Sequence, residues 1–208
     1  YAANLNVLAQ ACALVTHAND FLTHTPDPSS MCYSDDANAG AGASNIAGFP
    51  AVGAILDYMV DPGNDTTFGH RRWLLSNALG EVGIGSTDRF SCLYVFGPKG
   101  SGTQTWIAWP TPGAFPIEAA TDGFFQLDDT GWTIQSDDID LSNASATISK
   151  DGQTLATQTN YLQQNFGATH AISIVQQGWT LEVGATYHVE VSGISQDISY
   201  DVEIVRCE

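Results

Sequence analysis

Basic residues are scarce in this chain. Lys and Arg together number six among 208 residues, against 23 Asp and Glu, for a formal net charge of −17. Such a surface repels phosphate backbones and excludes nucleic acid as a natural partner. Long apolar runs are absent too, and no stretch approaches the roughly 20 residues of a bilayer span. No CxxC pair occurs among the four cysteines, Cys12, Cys32, Cys92 and Cys207, which argues against a zinc cluster. An even, widely spaced set fits disulfides formed in an oxidising compartment, with three connectivities open. The chain also lacks an initiator Met and a leader pattern, and it reads as a mature or trimmed product.

Several catalytic signatures are missing. Ser44 in "GASNIA" is not in a G-x-S-x-G nucleophile elbow, because Ile46 stands at the closing glycine. "GIGSTD" and "GSGTQT" lack the third glycine of a dinucleotide fingerprint. "DDID", Asp137 to Asp140, lacks the glycine and glutamate of a calcium loop and reads as a solvated turn. Asn64-Asp65-Thr66 and Asn143-Ala144-Ser145 match the N-glycosylation pattern.

The two ends of the chain have different textures. Leu5, Leu8, Cys12, Val15 and Leu22 form one stripe of a helix that the prolines of "HTPDPSS" stop. "ANAGAGASNIAG", Ala37 to Gly48, reads as a loop. "AVGAILDYMV" and "HRRWLLSNA" read as two further helices, and "EVGIGST" and "SCLYVFG" as a strand hairpin. Gly97 to Pro116, with four prolines and four glycines, reads as a linker pinned by Trp106 and Trp109. Beyond it, "ATISKDGQTLATQT" predicts a hairpin turning at Asp151-Gly152. "THAISIVQ", "TYHVEVSG" and "SYDVEIVRC" alternate apolar and polar residues. Short strands over the last ninety or so residues suggest an immunoglobulin-like β-sandwich. Residues 116–208 carry fourteen acids and two bases, a net −12, so most of the acidity lies there.

The chemistry centres on histidine. His24 lies where the first helix ends, and His70 opens the third between a glycine and Arg71-Arg72. Two neutral imidazoles can ligate a divalent metal such as zinc, and Asp61 could supply a carboxylate or orient a water. His17 reads as a partly buried helix residue, and His170 and His188 as surface or edge residues of strands.

"DFLTHTP", "GASNIAG", "AILDYMVDPG" and "FGHRRWLL" occur in the order seen in bacterial members of the CAP superfamily, the cysteine-rich secretory, antigen 5 and pathogenesis-related proteins. The resemblance covers about residues 1–97. It implies an α+β chain: a CAP-like α-β-α sandwich at 1–97, a linker at 98–116 and an immunoglobulin-like sandwich at 117–208. In that family a cleft gathers two histidines and two acids. His24 and His70 match the histidines, and Asp61 falls near the second acid. Ser44 takes the place of the first, which removes a candidate general base.

The resemblance therefore implies a secreted or cell-surface binding module whose ligand is a lipid, peptide, glycan or protein. Two alternatives are a metal-dependent hydrolase using His24, His70 and Asp61, with Ser44 as a further candidate, and a self-assembling structural subunit. The expected disulfides are Cys12–Cys32 and Cys92–Cys207, the second stapling the two regions. Cys12 lies on the first helix and Cys32 follows the proline turn that folds the chain back.

Overall fold

The computed structural model describes residues 2–207, which form an α+β chain of two compact units. The first comprises residues 2–59 together with Trp73–Gly102, the second Val60–Arg72 together with residues 103–207. Among the described residues no helix is long and apolar enough to cross a membrane.

In the first unit, α1 (Ala3–Asn19) buries Leu5, Ala9, Cys12, Ala13 and Val15 on one side. It stops earlier than the apolar stripe suggests. Asp20 takes a left-handed φ of 51°, and Leu22 lies exposed beyond the helix. The small-residue stretch expected as a loop contains α2 (Asp35–Gly42) and strand β1 (Ser44–Ala47). Ser34 caps α2 by accepting from Ala37 N at 3.0 Å. Gly40 is there for packing: a Cβ on it would lie 2.1 Å from the Leu8 carbonyl oxygen. Helices α3 (Gly53–Val60) and α4 (Gly69–Leu74) follow, and the unit boundary at Arg72 falls inside α4. Strands β2 (Gly83–Ser86) and β3 (Ser91–Tyr94) pair as the expected hairpin, giving an antiparallel sheet of order β1-β3-β2.

Helix α1 rests on β2 through glycine. A Cβ on Gly85 would lie 2.2 Å from the Ala9 carbonyl carbon, and one on Gly83 2.3 Å from the Leu5 oxygen. Both obstacles are backbone and cannot rotate away. Gly85→Ala is therefore expected to destabilise the first unit by about 1–3 kcal/mol, the usual range for overpacking. Denaturant melts that superimpose on the parent would refute this packing.

The four cysteines do not pair as expected. The bond formed is Cys12–Cys92, with Cα atoms 6.1 Å apart, and Cys32 and Cys207 are free and exposed. Cys12 and Cys92 share one buried cluster with Ala9, Ala13, Ala41 and Ile46. Cys12 is fully buried on the inner face of α1, whereas Cys32 is exposed. The bridge lies within the first unit, so it does not staple the two units.

The second unit is built from two sheets. The stretch expected as a linker over 98–116 contributes strands β4 (Ile107–Trp109) and β5 (Gly113–Pro116) to them. Its prolines are compatible with strand because both strands lie at sheet edges. Trp106 and Trp109 do pin this stretch, packing on Tyr200 and Phe115. A short helix α5 (Leu127–Thr130) precedes β6 (Trp132–Ser136), β7 (Ser145–Lys150), β8 (Gln153–Leu155), β9 (Thr157–Tyr161), β10 (His170–Gln176), β11 (Thr186–Ser192) and β12 (Ile198–Val205). The sheet orders are β4-β6-β10-β9 and β5-β12-β11-β7-β8, antiparallel except for the β5–β12 pair. Asp151 and Gly152 join β7 to β8 with φ of 52° and 75°, the positive pair that the two-residue hairpin requires.

One core lies between these sheets. Trp132, Ile134, Ile172 and Ile174 come from the first sheet, Ile148, Val189, Val202 and Ile204 from the second. Alternation then sends Thr133, Gln135, Ala171 and Ser173 to the outer face of the first sheet, where they are nevertheless buried. The segment Val60–Arg72 packs there: Phe68 clusters with Leu162 and Ala171.

Candidate functional site

The site begins where α3 ends. Asp61 adopts φ 56° and Gly63 φ 79°, with Pro62 between them, so the helix cannot continue. Phe68 is also left-handed, at φ 46°, an unusual conformation for a bulky residue. Two such residues within one short segment mark a backbone that its surroundings hold in place.

The holding groups are the two arginines of "GHRR". Arg71 donates through Nη1 to Gly131 O at 2.8 Å and through Nη2 to Val60 O at 2.8 Å and Thr130 Oγ1 at 3.2 Å. Arg72 donates through Nη1 to Thr67 O at 3.0 Å and Gln163 O at 2.7 Å, and through Nη2 to Ala168 O at 3.0 Å. Gln135 Nε2 reaches back to Arg72 O at 3.3 Å. Both side chains are buried. Burial pushes the Arg71 guanidinium down to about 9, and the neighbouring Asp61 carboxylate opposes that shift. Each planar fork satisfies backbone carbonyls that burial would otherwise strand.

Asp61 is fully buried and organises the rest. Its Oδ2 accepts from Arg71 N at 3.1 Å. Its Oδ1 accepts from Asn64 Nδ2 at 2.7 Å and lies 2.9 Å from His70 Nδ1. Asn64 Nδ2 is also 3.1 Å from His70 Nδ1. A consistent assignment has His70 Nδ1–H donating to Asp61, so that Asn64 spends its hydrogen on the same carboxylate. The imidazole lone pair then resides on Nε2. The His70 side chain is 24% exposed.

The other expected site residues belong to the first unit. His24 is exposed and its Nδ1 lies 2.8 Å from Ala41 O, a carbonyl, which again assigns the proton to Nδ1. Ser44 is buried in β1 opposite Tyr94, and its Oγ has no hydrogen-bond partner among the described residues. The structure thus brings Asp61 and His70 together, while His24 and Ser44 sit in the separate unit. Among the described residues no group of three or more His, Cys, Asp and Glu side chains is arranged to hold a metal ion.

Sequence reasoning located His70 and Asp61 but missed Asn64, which it read only as a glycosylation acceptor, and the anchoring role of Arg71 and Arg72. The signal for the arginines was present in their scarcity: two of six bases stand side by side next to an apolar run.

His170 lies half-buried in β10, an inner strand, with Nδ1 2.7 Å from Tyr161 Oη. His188 is on the solvent face of β11, hydrogen-bonded to Asp201.

No family model matches this sequence, and no curated protein or solved structure matches it either.

Proposed function

We propose that the chain is an extracellular binding module, CAP-like over its first hundred or so residues and immunoglobulin-like in its β-rich part, in which His70 serves a divalent metal such as zinc. The observation that carries this reading is the Asp61–His70 pair. A carboxylate that accepts a hydrogen bond from one imidazole nitrogen sets the tautomer and fixes the ring so that the other nitrogen can bind, the usual support for a metal-bound histidine. The Cys12–Cys92 bridge supports formation in an oxidising compartment.

Asp61 suits the role of orienting group better than that of ligand. Both of its oxygens already accept hydrogen bonds, and its side chain is buried. The donor set identified in this unit is then a single imidazole. A catalytic zinc ordinarily takes three protein ligands and an open position, so this donor set favours binding over hydrolysis.

Zinc titration by calorimetry tests the reading. The parent protein is expected to bind zinc, His70→Ala to abolish binding, and Asp61→Asn to weaken it about 10–100-fold, the usual effect of losing an orienting carboxylate. Equal zinc affinity in the parent and His70→Ala would rule the reading out.

A further inference from the structure

A cleft of about 730 Å³ opens on the outer face of β9 and β10, bordered by the turn from Asp61 to Phe68 and by Asp129 and Thr130. That volume is in the range of small-ligand sites, roughly 300–1,000 Å³. We infer that this cleft binds a neutral saccharide. The inference rests on the binding-module reading and gives that module a ligand class, but it requires no metal.

The lining excludes other chemistries in turn. It contains three carboxylates, those of Asp61, Asp65 and Asp129, and no Lys or Arg, so an anionic ligand would meet uncompensated repulsion. A lipid would have to desolvate amides and hydroxyls without replacing their hydrogen bonds, since Phe68 and Val175 supply the only sizeable aliphatic or Phe surface. A cation is the closest competitor, but the Asp61 oxygens are already taken by three N–H groups. Only Asp65 and Asp129, both exposed, remain to attract one.

What the cleft does offer is a row of groups that both donate and accept. Gln158 Nε2 donates to Asn160 Oδ1 at 2.8 Å, and Asn160 Nδ2 donates to Ser173 Oγ at 3.3 Å. Asn160 and Ser173 are cross-strand partners, as are Gln158 and Val175, so the β-ladder holds the row in register. A sugar hydroxyl is itself donor and acceptor, and a chain of amides is its natural complement. Carboxylates such as Asp129 can accept from adjacent hydroxyls of one ring.

The test is calorimetric titration of the full chain with cellohexaose, xylohexaose, mannohexaose, chitohexaose and laminarihexaose, with spermine as the cationic probe. At least one hexasaccharide is expected to bind, with affinity indifferent to salt and retained in EDTA. Gln158→Ala and Asp129→Asn, both at exposed positions, are each expected to weaken it at least tenfold with unchanged thermal melts. Should one variant fail to fold, Gln163→Ala, also exposed on the cleft wall, provides the same comparison. The inference is overturned if none of the five sugars binds, if only spermine binds, if the variants bind as the parent does, or if chelation abolishes binding. Because EDTA separates sugar binding from zinc binding, failure here leaves the His70 metal reading standing, and the reverse also holds.

Discussion

Reduction of the Cys12–Cys92 bond is expected to unfold the first unit well below the melting temperature of the oxidised protein, while the transition of the second unit stays where it was. The bond spans a sequence separation of 80 residues and lies wholly in the first unit. In the chain-entropy model a loop of that length restricts the unfolded ensemble by roughly 4–5 kcal/mol. The unit has little else of comparable size. Its sheet is three short strands, and its core is divided into two small clusters, one of which contains the bridge itself. For a unit of this length, 1 kcal/mol corresponds to roughly 4–8 °C, so a shift of roughly 15 °C or more is expected. Calorimetry with and without reductant measures it. Non-reducing peptide mapping should recover Cys12 joined to Cys92, with Cys32 and Cys207 alkylated before reduction. Recovery of a Cys12–Cys32 peptide, or identical melts in both redox states, would defeat the assignment.

Arg71→Met carries the second large effect, in the other unit. Arg71 is fully buried, and its side chain is the donor to the carbonyls of Val60 and Gly131. Methionine preserves much of the volume but leaves those acceptors without their donor and removes the charge that faces buried Asp61. Removing one member of a buried charged pair typically costs about 3–5 kcal/mol. Arg71→Lys is expected to recover little, because a single ammonium cannot reproduce the fork that spans two carbonyls. Denaturant unfolding followed by tryptophan fluorescence reports the second unit, which holds Trp106, Trp109, Trp132 and Trp179. A loss below about 1 kcal/mol, the level of a surface ion pair, would contradict the anchoring role. The same variant should also loosen His70, since it removes the guanidinium charge beside the Asp61 carboxylate that accepts from the imidazole.

The parts of the molecule that could be read directly are those where local pattern and tertiary environment agree. β10, β11 and β12 alternate because one face meets the inter-sheet core, and Asp151-Gly152 turns because that dipeptide tolerates positive φ at both positions. The helical period of α1 was visible from Leu5 to Val15, although its end was not, since Asp20 terminates it through a left-handed conformation that carries no apolar signal. His70 and Asp61 could each be named as candidates from their places beside a helix start and a helix end, but the sequence reading pairs His70 with His24, and the direct His70–Asp61 hydrogen bond comes only from the fold.

Tertiary structure decided the rest. α2 hides in an Ala- and Gly-rich stretch because Gly40 answers to the close approach of α1, a contact between segments distant in sequence. The prolines of 98–116 read as a linker, yet edge strands accept them where a central strand would not. Cysteine pairing depends on which Cα atoms the fold brings to about 6 Å, and four cysteines in a line carry no such distance. The arginines of "GHRR" show the same division. Their presence beside His70 is a fact of sequence. Their work is to satisfy carbonyls at Gly131, Gln163 and Ala168, up to 96 residues away, and it exists only once the outer face of a β-sheet lies beneath them.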